Sequence, residues 1–338
     1  MSGHIRLFVI SLGLACFMTF AAKVSLADSH DDTSDSVGVV FDAQTRAVGT
    51  FADDSVSEFD LDNTRLGASF SKSIINGRVS IQHDGTDLDL LDASVALPLF
   101  EDKLNAKVGR FLIPAGRNAM QDIYGWTTWQ GANVIAKWSS LNGYGRRDGV
   151  AFTGVADEDK ATIAYNFGVF NGDGDEVLFA GRVDVSVKEA LLDGLTLGAA
   201  VQSQDGYLGF GIDAVYTREI TYGTLSVDGA FNKFDLDDAS YTPNVGLNAG
   251  SGFSVGSSFL VDKIYPVASI KIQPEPFFRY QKFDYSDGFD GSRTRIDAGA
   301  NFLLDGFDQT KLTGNYYHNE DRLDETDDGL YLGVQFAF

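Results

Sequence analysis

The chain has 338 residues and a formal net charge of −22, with 26 basic side chains against 48 acidic ones. So acidic a balance argues against nucleic acid as a partner, because that surface calls for basic patches. Cys16 is the single cysteine, so disulfides take no part in the fold, and no apolar run after residue 27 reaches the roughly 20 residues of a membrane helix.

Residues 1–27 read as a secretory signal peptide. Arg6 supplies a short positive region, 7–20 are almost wholly apolar, and Ser25-Leu26-Ala27 is a small-x-small cleavage site. Residues 28–36 are polar and are expected to form a flexible periplasmic tail. From 37 to 338 a two-residue period recurs, the mark of strands with one apolar face. In 37–48, Val37, Val39, Phe41 and Ala43 take one face and Asp42, Gln44 and Arg46 the other. In 91–99, Leu91, Ala93, Val95 and Leu97 align. In 104–111, Leu104, Ala106 and Val108 point outward and Asn105 and Lys107 inward. Ile163, Tyr165, Phe167 and Val169 share a face, and in 177–187 Phe179, Val183, Val185 and Val187 oppose Arg182, Asp184 and Ser186. Next, Leu197, Ala199 and Val201 oppose Gln202 and Gln204 in 195–204. Phe210, Ile212, Ala214 and Tyr216 continue the theme, as do Phe253, Val255, Phe259 and Val261. Pro274 and Pro276 sit badly in a central strand and read as a bulge or kink inside a long one from about 267 to 285. In 293–302, Arg293, Arg295, Asp297 and Asn301 oppose Ile296, Ala298, Ala300 and Phe302.

Short connectors at 100–103, 156–160, 188–194 and 219–222 alternate with longer or acid-rich ones at 171–176, 235–249, 284–292 and 320–329. A transmembrane barrel with short periplasmic turns and longer outer loops predicts this alternation, with an even strand number. A soluble β-sandwich also alternates along each strand. Here, however, many strands carry an unbroken apolar face with no charge at mid-span. The last nine residues alternate strictly and end on a free Phe338, which gains in lipid and not in water. The expected fold is therefore all-β: a transmembrane antiparallel β-barrel of about 16 strands over 37–338, in the bacterial outer membrane. The ending resembles the C-terminal strand of outer-membrane proteins, which implies that Phe338 is read by the barrel-assembly machinery.

The longest strand-poor region, 113–146, is a candidate constriction loop folded into the lumen, since a loop this long in a compact domain is usually functional. From 103 to 147 the chain reverses its charge: Lys103, Lys107, Arg110, Arg117, Lys137, Arg146 and Arg147 stand against Asp122 alone. A basic constriction between low-dielectric walls favours anions. Alternatively, these cations pair with lumen acids such as Asp42, Asp92 or Asp184 and only brace the wall. Parity adds Arg46, Arg78, Arg182, Lys271, Arg279, Arg293 and Arg295 as lumen-facing cations. Arg293 and Arg295 share a face and suggest a short ladder, weakened by Asp297.

Several segments carry a family resemblance. Val108-Gly109-Arg110-Phe111-Leu112-Ile113-Pro114-Ala115-Gly116 is one, Arg147-Asp148-Gly149-Val150 followed by Gly154 a second. Tyr165 through Gly172 followed by Ala180-Gly181-Arg182 is a third, and Gln273 through Tyr280 a fourth. In this order they resemble the phosphate-selective porin (O and P type) family. The resemblance implies a 16-stranded, trimeric diffusion channel. Phosphate-selective members carry an arginine ladder and a lysine cluster, whereas this chain is lysine-poor. A less selective member fits the residues equally well.

The expected function is passive diffusion of small hydrophilic solutes, with an anion preference set at Arg110, Arg117, Lys137, Arg146, Arg147, Arg293 and Arg295. No catalytic residue, metal site or cofactor is expected. The expected partners are outer-membrane lipid and lipopolysaccharide, the assembly machinery and two further copies of the chain. Acidic outer loops around Asp173, Asp235 and Asp324 are solvated or hold divalent cations, though their spacing matches no EF-hand. A barrel enzyme of phospholipase or protease type is the rival class. Beyond the signal it has only His30, His83 and His318 to draw on, with His318 near Asp321 as the one dyad. A closed structural or adhesive barrel is a further alternative; about 16 strands enclose a channel unless plugged.

Overall fold

The computed structural model describes residues 38–52, 55–84, 86–100, 103–121, 123–131, 145–172, 176–189, 192–205, 207–236, 250–267, 270–285, 291–304, 310–320 and 326–337. The signal peptide, the tail, Asp122, Lys137, Asp173, Asp321, Asp324 and Phe338 lie outside them. The strands run β1 Gly38–Ala52, β2 Ser55–Lys72, β3 Ile75–His83, β4 Leu88–Phe100, β5 Leu104–Leu112, β6 Arg146–Asp157, β7 Ala161–Asn171 and β8 Val177–Val187. They continue as β9 Leu195–Gln204, β10 Tyr207–Ile220, β11 Gly223–Leu236, β12 Gly250–Val261, β13 Tyr265–Val267, β14 Ile270–Tyr285, β15 Ser292–Leu304, β16 Lys311–Glu320 and β17 Thr326–Ala337.

Each strand pairs antiparallel with its sequence neighbours, and β17 returns to β1, with Gln44 opposite Ala337. The sheet therefore closes and has no free edge, the one β arrangement that satisfies all backbone groups inside lipid. The three residues of β13 prolong the stave begun by β12 rather than adding one, which makes a barrel of 16 strands. The two pieces pair with β14 on either side of Gln273–Pro276. Pro274 and Pro276 have no N–H to give to that ladder, and Gln273 Nε2 donates to Val261 O at 2.8 Å in the gap. The expected long strand is thus corrected: Val267 belongs to β13, and β14 begins at Ile270.

Alternation sets the two faces. Phe167, Val169, Phe179, Ile212, Val255 and Leu332 are exposed on the outside of the barrel, whereas Arg182, Gln202, Gln281, Asn315 and Gln335 are buried toward the lumen. An apolar exterior around a polar interior is the inverse of a soluble fold and the arrangement a bilayer demands. Gly109 in β5 has φ of +119°, a region open to glycine, and there the β5 backbone closes on Ala93 of β4. In the β3–β4 turn, Asp84 Oδ1 accepts the N–H groups of Asp87 at 3.0 Å and Thr86 at 3.1 Å. These hold its carboxyl below the ordinary aspartate value.

Candidate functional site: an inner loop and the wall it leaves open

Beyond Leu112 the chain turns inward. Ile113 N donates to Gly145 O at 2.6 Å, closing the neck of the excursion between β5 and β6. Ile113 packs with Phe111, Ala151, Phe170, Leu178 and Ala180 in a buried cluster on the lumen side of β5–β8. A short helix α1, Arg117–Met120, and a 3-10 turn, Ile123–Gly125, follow.

A loop inside a barrel has no strand to pair with, so its backbone acceptors need side-chain donors. The wall supplies them. Gln202 Nε2 donates to Pro114 O at 3.4 Å and Arg182 Nη1 to Ala115 O at 3.1 Å. On the far side, Gln335 Nε2 donates to Tyr124 O at 2.6 Å, Lys311 Nζ to Trp126 O at 2.5 Å and Asn301 Nδ2 to Thr127 O at 3.0 Å. Arg46 Nη2 donates to Trp129 O at 2.5 Å, and its guanidinium lies 4.0 Å from the centroid of that indole, a cation–π contact. Trp129 N donates to Asn315 Oδ1 at 3.0 Å, and the ring fills the space in front of Gly333. The loop is thereby fastened across β8–β10 and then across β14–β17 and β1.

Among the described residues, none of these hydrogen bonds falls on the wall from β3 to β6. On that side a cavity of about 350 Å³ opens beside β1–β5, its lining including Val40, Ser69, Asn76, Arg78, Ser94 and Lys107. Among the described residues its two charged lining residues are Arg78 and Lys107, and behind Arg78 the charges form a chain. Arg78 grips Asp42 through both oxygens at 2.9 Å and stands 3.9 Å from Asp92. Asp92 also accepts from Ser80 at 2.6 Å and from Arg146 Nε at 3.2 Å. Lys107 has no acid within ion-pair distance among the described residues; its Nζ lies 4.6 Å from the centroid of the Phe111 ring.

Three of the wall ion pairs share one construction. Arg78 on β3 reaches Asp42 on β1 over Gly67 on β2. In the same way Arg182 on β8 reaches Asp213 on β10 over Gly198 on β9, and Arg279 on β14 reaches Asp228 on β11 over Gly256 on β12. A Cβ at Gly67 would sit 2.6 Å from the Asp42 carboxylate and 2.8 Å from Arg78 Nη2, and one at Gly256 would sit 2.6 Å from Asp228 Oδ1. At Gly198 the fit is tighter still. The missing side chain on the middle strand is what lets charges two strands apart meet.

The residues expected at the constriction divide. Arg110 shares the outer face with Val108; its Nε donates to Leu90 O at 2.9 Å, and Asp148 lies 4.0 Å away. It does not face the lumen, because the alternation of β5 continues unbroken to the rim. Arg147 donates to Gly172 O at 2.8 Å and ties the outer ends of β6 and β7 together. Arg295 is buried, held by both oxygens of Asp297 at 2.8 and 2.7 Å, and gives Nη1 to Gln130 of the loop at 2.9 Å. Arg293 has its Nε buried without a hydrogen bond. The Arg117 side chain has no partner among the described residues, while its backbone N donates to Asp213 at 3.1 Å. Arg146 pairs with Asp92 at 3.2 Å and is not among the residues that line the cavity. Lys107 was absent from the expected set, although the alternation of β5 had placed it inward. His318 bonds Asp328 Oδ1 at 2.7 Å on the outward face. Among the described residues no group of three or more His, Cys, Asp or Glu could hold a metal ion.

No protein-family model matches the chain, and no curated protein matches its sequence. Solved structures match its fold. The anion-selective porin from Comamonas acidovorans superposes with a TM-score of 0.62 at 14% identity, over 90% of this chain and 100% of that one. A loop L8 deletion mutant of OmpT, an outer membrane protein of Vibrio cholerae, gives 0.61 at 13% identity, over 90% and 100%. OmpF of Salmonella typhi in complex with daunomycin gives 0.56 at 12% identity, over 89% and 98%. At such identities the likeness is one of fold, and the fold is the 16-stranded barrel of bacterial outer-membrane porins.

Proposed function

We propose that the protein is an outer-membrane porin: a water-filled channel through which small hydrophilic solutes diffuse passively, with a preference for anions. One observation carries the preference. Among the described residues the six wall aspartates Asp42, Asp92, Asp184, Asp213, Asp228 and Asp297 sit on five arginines, Arg182 serving both Asp184 and Asp213, while Lys107 and Arg117 stand in addition to those pairs. Paired acids contribute little field at a distance, so the surplus cations set the sign inside a low-dielectric wall. In this reading Lys107, Arg117, Arg146 and Arg293 meet the passing ion, and Arg295 and Arg147 hold the frame. Phosphate, which the motif resemblance implies, is one anion of this kind. A homotrimer anchored in lipopolysaccharide is the expected assembly.

The test is the reversal potential of the purified protein in a planar bilayer under a salt gradient. Anion selectivity, lost in a Lys107→Gln/Arg117→Gln double variant, is the expected result. An open cation-selective wild-type pore would overturn the preference. Absence of any conductance would overturn the channel itself and return weight to an enzymatic or closed barrel.

A further inference from the structure

We infer that the cavity beside β1–β5 is a binding subsite for a small, singly charged, hydroxylated organic anion, which the channel holds briefly rather than merely passes. This rests on the channel reading above. The cavity, about 350 Å³, has the scale of small-ligand sites. Its side chains arrive at alternate, inward positions on five consecutive strands, so the sheet itself fixes them.

Charge sets the valence of the ligand. Among the described residues the lining holds two charged side chains, Arg78 and Lys107, and Asp42 holds Arg78 through both oxygens, which leaves one positive charge in excess. Arg78 is committed to its acid, so the surplus resides on Lys107, which has no acid within ion-pair distance among the described residues and sets its Nζ over the Phe111 ring. One excess cation suits one carboxylate or one phosphate monoester, the shared chemistry being a single oxyanion group.

The remaining lining argues for more than an inorganic ion. Ser69 Oγ accepts from Arg78 Nη1 at 3.1 Å, so its own proton is available to a ligand. Ser94 and Asn76 add both donors and acceptors along the same wall. Such a row matches hydroxyl groups, each of which donates and accepts. Val40 is 67% exposed on this lumen face. An apolar patch between hydrogen-bonding groups gives the C–H edge of a polyol chain a place to lie.

Gluconate, glucose and inorganic phosphate distinguish the possibilities, each added to one side of a bilayer holding the full-length protein in potassium chloride. Gluconate should lower the chloride current along a saturating curve, and glucose should not. Lys107→Gln should raise the half-blocking gluconate concentration about tenfold, the loss of one charge-assisted hydrogen bond, and Lys107→Arg should restore it. Ser69→Ala/Ser94→Ala should weaken gluconate block while leaving the reversal potential unchanged. Current that falls linearly with gluconate in an anion-selective pore would overturn the subsite and leave the channel standing. Phosphate blocking as well as gluconate would show a site that reads charge alone, and would overturn the hydroxylated class.

Discussion

Arg182 and Arg78 make the same bridge in two different places. Arg182 and Asp213 span β8–β10 with both side chains 4% exposed, and the arginine also caps a carbonyl of the inner loop. Arg78 and Asp42 span β1–β3 with side chains 37% and 23% exposed, facing a cavity. The bridge is alike, and the described part of the loop bonds Arg182 directly but makes no hydrogen bond to Arg78 or Asp42 that the structure describes. Where it lies, ion pairs are shielded from water and act as structural joints. Where no described loop residue covers them, they are more exposed, and on the channel reading they shape the field that a solute crosses.

The largest effect that would break this comparison is on the buried joint. Gly198→Ala forces Arg182 and Asp213 apart in a dry site, where separating a pair costs about 3–5 kcal/mol. A marked drop in the urea midpoint of the refolded barrel is expected. Next comes Arg46→Ala, which removes both the bond to Trp129 O and the stack on its ring, worth about 2–3 kcal/mol together. Conductance should also rise as the loop loosens, and an unchanged conductance would mean that the loop does not set the bore. Gly67→Ala disturbs the open bridge and should cost at most about 1 kcal/mol, as water receives the displaced charges. Equal losses for Gly67→Ala and Gly198→Ala would refute the distinction between the walls. Smallest is Arg110→Gln on the outer face, for which the reversal potential should not move at all.

Much of the barrel was legible because lipid and water alternate across each strand. The bounds of β8 and β9 coincide with the periodic segments read from sequence, and Arg182, Gln202 and Gln204 lie on the predicted side. Strands β2, β3 and β16 were harder to see. Their outward rows include Gly77, Gly314, Thr64 and His318, which interrupt an apolar stripe. Register breaks between Arg46 and Val48 and between Ser80 and Ile81 shift the local count as well. The site was legible only by face. Alternation places Lys107 inward and Arg110 outward, yet grouping all local cations with the loop set that signal aside. Which acid an arginine finds was beyond the sequence, because Asp42 and Arg78 meet only through the registers of β1 with β2 and of β2 with β3.

Gly67, Gly198 and Gly256 carry no charge, yet they decide which charges neutralise one another. A methyl group at any of them leaves the formal charge of the protein untouched and redistributes the potential inside its channel. On the channel reading, ion selectivity is thus encoded partly in residues that have no side chain, and a comparison of channels that tallies only their acids and bases would pass over the positions that set how those acids and bases are spent.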